Sequence, residues 1–319
     1  MELSELQEYA NLYLNGIPSY RIRQEKTGVA ARCLPGLYRE MIAGIGESAG
    51  ARAISPPEWK GGASREVIGP FRDAFSGLSG TLILMGSLSD GTATGYSDLD
   101  AVYFPPDEEF VESFGEIRRA LLRATRVVLS FDHLQHHGVF VVPESIARSC
   151  SPLPASAFQG AVVLAGKPGL KLGGWEDFWK TNFFPIVNKC LALAENPGKR
   201  PRNLYGIKLF LSQLMLLPSL FLLAGGQEVH KAESFGTVKG MFREDCGALD
   251  VATELRASWK RPRSRLFEMG VNTWPSPWDF AFAFRRFFRS PESMTGKLNN
   301  EFYEGAARLA RRMKDALDI

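Results

Sequence analysis

The chain has 319 residues, with 38 Lys and Arg against 35 Asp and Glu, and 45% of its residues are hydrophobic. This composition excludes disordered, collagen-like and disulfide-scaffold proteins, and the length allows two domains with a sizeable core. The net charge of +3 conceals an asymmetry, because residues 1–164 carry a net charge of −5 and residues 165–319 a net charge of +8. Two parts of different chemistry, with an anionic ligand shared between them, fit this asymmetry.

In the first 75 residues, apolar spacing predicts helices over residues 1–15 and 65–75. The stretch between them contains several Pro and Gly residues and is predicted to be irregular. The N-terminal sequence MELSELQEYANLYL begins with acidic residues and is typical of an amphipathic helix rather than a signal peptide. We therefore expect a cytoplasmic protein.

The middle of the chain changes to short apolar runs. GTLILMG (80–86) and DLDAVYF (98–104) predict two buried strands, and the second is stopped by two prolines. Residues 107–123 have the spacing of an amphipathic helix. RVVLSF (126–131) and GVFVV (138–142) predict two further strands, separated by DHLQHHG.

The second half of the chain is predicted to be helical. Five segments have apolar residues at helical spacing: 174–196, 204–226, 233–245, 277–289 and 300–317. The fold class expected is therefore α+β. A small domain with a mixed sheet and an N-terminal helical extension occupies residues 1–165, an all-helical domain follows at 166–319, and Gly169–Gly174 is the predicted hinge.

One uncharged segment of this half resembles a membrane span. Residues 209–225 carry no charge over 17 positions. The segment contains Ser212, Gln213 and Pro218, and it is shorter than the roughly 20 apolar residues that a transmembrane helix needs. The pattern favours a buried helix pair, and no membrane association is expected.

The cysteines give a second exclusion. Cys33, Cys150, Cys190 and Cys246 are far apart, and none lies in a C-x-x-C or Cys/His spacing. The pattern indicates neither a cysteine zinc site nor a disulfide framework, which agrees with a reducing compartment.

The most informative segment is GTLILMGSLSDGTATGYSDLDAVYF, residues 80–104. A predicted strand ends in Gly86 and Ser87, a loop of small residues follows, and the next strand opens with Asp98, Leu99 and Asp100. Side chains alternate along a strand, so Asp98 and Asp100 are expected to point the same way while Leu99 enters the core. Two neighbouring carboxylates repel each other unless a cation lies between them. The pair therefore predicts a divalent metal site.

The ligand types at this site favour a particular metal and substrate. Carboxylate oxygens suit Mg²⁺, or Mn²⁺, which binds through one or two carboxylates together with substrate phosphates. The turn at Gly86 and Ser87 offers backbone N–H groups and a hydroxyl to a polyphosphate. Together these groups fit a metal-assisted attack on the α-phosphate of a nucleoside triphosphate, with pyrophosphate as the leaving group.

With these residues, LILMGSLSDGTATGYSDLDAVYF resembles the DNA polymerase beta-like nucleotidyltransferase superfamily. The signature of that superfamily is an apolar strand, Gly-Gly or Gly-Ser, a short spacer and an acidic-apolar-acidic triplet. The resemblance covers about residues 65–145. It implies that Gly86 and Ser87 contact phosphate and that Asp98 and Asp100 hold the metal. A helical C-terminal half resembles the small-molecule, aminoglycoside-type members of the superfamily.

The sequence departs from that superfamily at one position. Its members usually supply a third carboxylate from a following strand, but RVVLSF and GVFVV contain no acidic residue. His133, His136 and His137 cluster between these two segments instead. A neutral imidazole is able to act as a general base near pH 7 or as a metal ligand, so His137 is a candidate replacement.

The helical half contains weaker candidates. Lys208 lies among apolar residues and is a candidate to bind the outer phosphates, although a lysine so placed is often a surface residue. WKRPRSR (259–265) and FRRFFR (284–289) interleave aromatic residues with arginine, as nucleic-acid binders do. A solvated basic face of a helix produces the same pattern and is the favoured interpretation.

These observations predict a metal-dependent nucleotidyltransferase that transfers a nucleoside monophosphate to an acceptor hydroxyl. The acceptor is a small molecule or, less favoured, RNA or protein. The alternative is a catalytically impaired nucleotide-binding or regulatory module of the same fold, which the missing third carboxylate favours.

Overall fold

A computed structural model of the protein describes residues 2–61, 65–174 and 178–317. The chain forms two compact units. The first comprises Met1–Ala93, Ser97–Trp175 and Pro262–Phe284, and the second comprises Thr94–Tyr96, Glu176–Arg261 and Arg285–Ile319. This division differs from a single boundary after residue 165 because the first unit includes residues 166–175 and 262–284, and the second includes residues 94–96.

The elements of both units are as follows. The helices are α1 (Leu3–Asn15), α2 (Ser19–Thr27), α3 (Leu34–Ile42), α4 (Arg65–Asp73), α5 (Asp107–Glu112), α6 (Phe114–Phe131), α7 (Glu144–Cys150), α8 (Phe178–Glu195), α9 (Leu204–Leu214), α10 (Leu217–Ala224), α11 (Lys231–Met241), α12 (Gly247–Ala257), α13 (Arg265–Thr273), α14 (Pro277–Arg285), α15 (Glu292–Lys297) and α16 (Asn300–Asp315). The strands are β1 (Arg52–Ile54), β2 (Thr81–Met85), β3 (Asp100–Phe104), β4 (Phe140–Val141), β5 (Val162–Ala165) and β6 (Leu170–Leu172). The predicted α+β class, with a small mixed sheet and a helical C-terminal region, is confirmed.

A four-stranded mixed sheet lies in the core of the first unit. Its order is β4-β3-β2-β5, and β2 pairs antiparallel with both β3 and β5 while β3 and β4 are parallel. Every residue of β2 is buried, which explains why residues 82–85 form a continuous apolar run rather than an alternating one. Helices α1 and α4 pack on α6, whose buried face continues this core.

Helix α1 closes the open edge of the sheet through amide side chains. The Val139 N–H donates to Asn15 Oδ1 at 3.0 Å, and Asn15 Nδ2 donates to the Val139 carbonyl at 2.8 Å. Asn11 makes the same pair of bonds with Val141, and Gln7 Nε2 also donates to the Val141 carbonyl. Four residues of a helix rise about 6 Å, which is close to the length of two strand residues. Asn11 and Asn15, four residues apart on α1, therefore match Val141 and Val139, two residues apart in the strand segment. The edge of β4 is thereby paired without another strand.

The prediction of a strand at RVVLSF is wrong, because residues 126–131 form the last turns of α6. The buried residues Ile117, Leu121, Ala124 and Val128 recur every three or four positions, so the helical period continues through the segment. The β-branched Val127 and Val128 favour a strand only weakly, and packing on one helical face overrides that preference. The predicted helix at 107–123 is instead two helices, α5 and α6.

The stretch predicted to be irregular contains regular elements. Helices α2 and α3 lie within it, and Pro35 occupies the first turn of α3, where its missing N–H leaves no hydrogen bond unmade. Strand β1 pairs antiparallel with β6. The predicted hinge at Gly169–Gly174 therefore contains a paired strand, β6, which lies beyond the predicted domain boundary at residue 165. Strand β5 is a further strand that the sequence pattern did not predict.

The second unit is helical, as predicted. Helix α8 packs on α16 and α10, and α12 packs on α16 and α9. Leu204–Ala224 has the length and composition of a membrane span, but about two thirds of its most apolar part is buried within the protein. It is broken into α9 and α10, whose apolar residues are buried. The prediction of a buried helix pair is confirmed.

Candidate metal and phosphate site

The turn at Gly86 lies directly against the Asp100 carboxylate. Register pairs Met85, the last residue of β2, with Asp100, the first residue of β3. Gly86 has φ +69°, a left-handed conformation that favours glycine. A Cβ at Gly86 would lie 2.9 Å from Asp100 Oδ2. The backbone conformation therefore favours glycine, and a larger residue would also displace the Asp100 carboxylate.

Ser87 lies in a single 3₁₀ turn, Gly86–Leu88. Its hydroxyl is 2.7 Å from the hydroxyl of Ser97, the residue before Asp98. This hydrogen bond joins the two ends of the loop between β2 and β3. Asp90 Oδ1 accepts hydrogen bonds from the backbone and side chain of Thr92, so these loop residues make turn contacts.

Asp98 lies just before β3. The backbone of the next residue, Leu99, is hydrogen bonded to the side chain of Gln135. The Leu99 N–H donates to Gln135 Oε1 at 3.0 Å, and Gln135 Nε2 donates to the Leu99 carbonyl at 3.2 Å. Gln135 Nε2 also lies 3.1 Å from the His137 carbonyl. Leu99 is buried, as predicted. Gln135 is fully buried and joins the carboxylate segment to the histidine loop.

Each carboxylate faces one histidine. His137 Nε2 lies 2.8 Å from Asp100 Oδ1, and His136 Nδ1 lies 3.5 Å from Asp98 Oδ2. The exposed fractions of the side chains are 10% for Asp98, 19% for His136, 22% for His137 and 35% for Asp100. The four groups form a partly buried cluster that water reaches. We call it the Asp–His cluster.

The pKa of His137 is set by these neighbours. Burial lowers the pKa of the ring, but the hydrogen bond to Asp100 and the negative charges of Asp100 and Asp98 raise it from 6.5 to about 9. At neutral pH His137 is consequently a cation that donates to Asp100. In this state it neutralises the carboxylate charge and does not act as a general base.

His133 does not join the cluster. Its Nδ1–H donates to the Leu129 carbonyl at 3.0 Å, and its Nε2 accepts from the Ser264 N–H at 3.1 Å. The ring is fully buried and stacks on Phe267. Its role is structural.

The donor set of the cluster fits a divalent cation. One ligand atom from each of Asp98, His136 and His137 lies within 4.8 Å of the others. The Asp100 carboxylate adjoins this group through His137. Oxygen and imidazole nitrogen together are a recognised ligand set for Mn²⁺, Co²⁺ and Zn²⁺, whereas Mg²⁺ prefers oxygen alone.

Lys208 belongs to the second unit. It is fully buried on α9, and its ammonium lies 5.2 Å from the centroid of the Tyr96 ring, an aromatic ring that attracts the cation. The Tyr96 hydroxyl donates to the Lys208 carbonyl at 2.7 Å. Phosphate binding by Lys208 stays a prediction.

The two arginine-rich segments contain arginines that bind other parts of the protein. Arg261 donates to the Thr94 carbonyl in the second unit, and Arg263 donates to the Ser130 carbonyl in the first. Arg285 is buried over the Tyr205 ring. These contacts account for part of the pattern that resembles a nucleic-acid binder.

Sequence reasoning missed Gln135 as a residue of this site. Its place among three histidines is the only signal in the sequence, because its burial and its pairing with Leu99 depend on tertiary structure. Comparisons of the chain with protein-family models, with curated proteins and with solved structures give no match.

Proposed function

We propose that this protein is a metal-dependent nucleotidyltransferase that moves a nucleoside monophosphate from a nucleoside triphosphate to an acceptor hydroxyl. The supporting observation is the approach of the Gly86 turn to Asp100, with 2.9 Å between a Cβ position and the carboxylate oxygen. An anionic phosphate bound at that turn would lie beside a carboxylate. Like charges so close are stable only with a cation between them.

Each group of the site has a role in this proposal. The backbone N–H groups and the Ser87 hydroxyl bind phosphate oxygens, and Asp98 and Asp100 hold the metal, Mg²⁺ or Mn²⁺. When bound, the metal neutralises charge on the reacting phosphate and the leaving pyrophosphate. In the metal-free protein, His137 holds Asp100 in position through the bond at 2.8 Å.

The test is pyrophosphate release from each nucleoside triphosphate, with Mg²⁺ or Mn²⁺ and a panel of hydroxyl acceptors. The Asp98→Asn, Asp100→Asn double variant should lose at least about 10³-fold in rate, roughly 4 kcal/mol of transition-state stabilisation. Asp90→Asn is the matched control, because Asp90 is exposed in the loop and its carboxylate accepts hydrogen bonds from Thr92. Release by the double variant at the wild-type rate contradicts the proposal.

The second candidate function is a nucleotide-binding module without transfer activity. Strand β4 runs beside β3 and consists of Phe140 and Val141, so it supplies no third carboxylate. The groups that face the aspartates are imidazoles. Metal-dependent nucleotide binding without pyrophosphate release, in every acceptor mixture, would favour this function.

The acceptor is proposed to be a small molecule, with RNA as the alternative. An RNA acceptor would neutralise several cations and make binding fall steeply with salt. A neutral or cationic small molecule would not. Activity measured from 50 to 200 mM salt separates the two. Over this range the affinity for an RNA that makes six or more phosphate contacts should fall about 10³-fold.

A further inference from the structure

We propose that Asp98, His136 and His137 form a site selective for a divalent transition-metal ion, of the Mn²⁺, Co²⁺ and Zn²⁺ class, over Mg²⁺. The use of this metal in catalysis rests on the proposed function. Binding itself follows from the geometry of the cluster alone.

The ligand atoms are already near the spacing that such an ion needs. In a tetrahedral site with bonds of about 2.0 to 2.1 Å, neighbouring ligand atoms are about 3.3 Å apart. Asp98 Oδ2 and His136 Nδ1 are separated by 3.5 Å, and the third ligand atom lies within 4.8 Å of both partners. Small side-chain rotations are sufficient to bring the three atoms onto one ion.

The orientation of His137 is fixed in the way that metal ligands require. Its Nδ1 lies 3.0 Å from the Gly138 carbonyl, which only accepts, so Nδ1 carries the hydrogen. In the neutral ring the lone pair is therefore on Nε2, the atom that faces the carboxylates. Metal-binding histidines generally donate their other N–H to a carbonyl or carboxylate, as this ring does.

The backbone of the histidine loop is held by buried groups. Asn15 pairs with the N–H and carbonyl of Val139, and Gln135 contacts the His137 carbonyl. Asn15 and Gln135 are both buried. A loop fixed at both ends supplies two adjacent imidazoles at a defined place, which lowers the ordering cost of binding a metal.

The ligand chemistry determines the selectivity. Imidazole nitrogen binds Mn²⁺, Co²⁺ and Zn²⁺ with affinity that rises along that order, whereas Mg²⁺ requires near-octahedral oxygen ligation. Two nitrogens and one carboxylate oxygen therefore favour a transition-metal ion. Asp100, which touches His137 at 2.8 Å, supplies a further negative charge.

The experiment uses the full chain stripped of metal with a chelator, without nucleotide. Calorimetric titration should give one equivalent of Zn²⁺ or Co²⁺, with weaker Mn²⁺ and at least about 100-fold weaker Mg²⁺ binding. Bound Co²⁺ should give a visible absorption band typical of nitrogen and oxygen ligands. Mg²⁺ binding as tight as that of Co²⁺ would overturn the proposal.

Matched histidine variants test the assignment. His136→Gln and His136→Ala should each weaken Co²⁺ binding at least about 10-fold, whereas His230→Gln, which changes a histidine of the second unit, should leave it unchanged. Circular dichroism shows whether each variant is folded. Co²⁺ binding that is unaffected by a folded His136 variant overturns the proposal.

The outcomes separate this inference from the proposed function. Histidine-dependent Co²⁺ binding with no pyrophosphate release supports the metal site and contradicts the transfer activity. Pyrophosphate release by a protein that binds Mg²⁺ as tightly as Co²⁺ supports the transfer activity and overturns the selectivity.

Discussion

Two histidine environments only three residues apart differ in burial, in hydrogen bonding and in the direction of the pKa shift. His133 is fully buried, with both ring nitrogens hydrogen bonded to backbone groups. His136 and His137 are partly exposed and face carboxylates. Burial is the main factor that lowers the pKa of His133, whereas Asp100 and Asp98 outweigh burial and raise that of His137. The same side chain is thus a neutral structural group in one place and a charged group in the other.

The comparison also separates stability from function. The His133 ring fills the interior between α6 and α13, stacked 4.4 Å from the Phe267 ring centroid. The side chains of the Asp–His cluster, by contrast, are partly exposed to water. We therefore expect substitutions at His133 to change the free energy of unfolding and substitutions in the cluster to change metal binding.

The largest effect is expected for His133→Ala. The change leaves a cavity and removes the partners of the Ser264 N–H and the Leu129 carbonyl, so the free energy of unfolding should fall by about 3 kcal/mol. His136→Ala removes a partly exposed contact with Asp98 at 3.5 Å and should cost about 1 kcal/mol or less. Urea denaturation of the metal-free proteins measures both values. Equal losses would contradict the distinction between the two environments.

An intermediate effect is expected for Gln135→Leu, which keeps much of the buried volume. The Leu99 N–H and carbonyl lose their side-chain partners, so the free energy of unfolding should fall by about 2 kcal/mol. Hydrogen exchange at the Leu99 amide should accelerate more than at the Val102 amide inside β3. Unchanged exchange at Leu99 would show that Gln135 does not hold the carboxylate segment.

The smallest effect is a dependence of stability on pH. The folded-state pKa of His133 lies below the usual histidine value of 6.5, with burial as its largest cause. The unfolded chain therefore binds a proton near pH 6.5 and the folded chain does not, so stability falls as the pH drops below about 6.5. Its magnitude is about 1 kcal/mol per pH unit or less.

The charged groups around His133 do not reverse the direction of its pKa shift. The negative charges of Glu268 and Asp132 raise its pKa and the positive charge of Arg263 lowers it, but burial exceeds them. In His133→Phe, which keeps a ring against Phe267, the slope of unfolding free energy between pH 5 and pH 7 should decrease. Denaturation midpoints at both pH values provide the measurement. An unchanged slope would assign the effect to another group.

Elements with a strong local pattern could be predicted from the sequence. Strands β2 and β3 are continuous apolar runs bounded by glycine, aspartate and proline, and α16 has an apolar stripe with an Asn299 cap. The segment at 126–131 could not be assigned from composition, because its valines suit a strand and only the buried face shared with Ile117 and Leu121 makes it helical. Short elements such as β1 and β6 depend on pairing with each other.

The residues of the candidate site also differ in whether the sequence alone identifies them. Gly86, Asp98 and Asp100 were identified from residue types and spacing within one strand-turn-strand unit, and register alone brings Gly86 to Asp100. His137 was a candidate from its position, and the structure brings it to Asp100. Gln135 and the pairing of His136 with Asp98 were beyond sequence reasoning.

The sequence by itself therefore determined the α+β class, the helical second half and the chemistry available at the Gly86 turn, because these depend on local periodicity and residue type. The tertiary structure decided which histidine faces a carboxylate and which lies in the core. Imidazole protonation and ligation depend on groups brought together across α6, β3 and α13, and no local pattern in the chain encodes those distances.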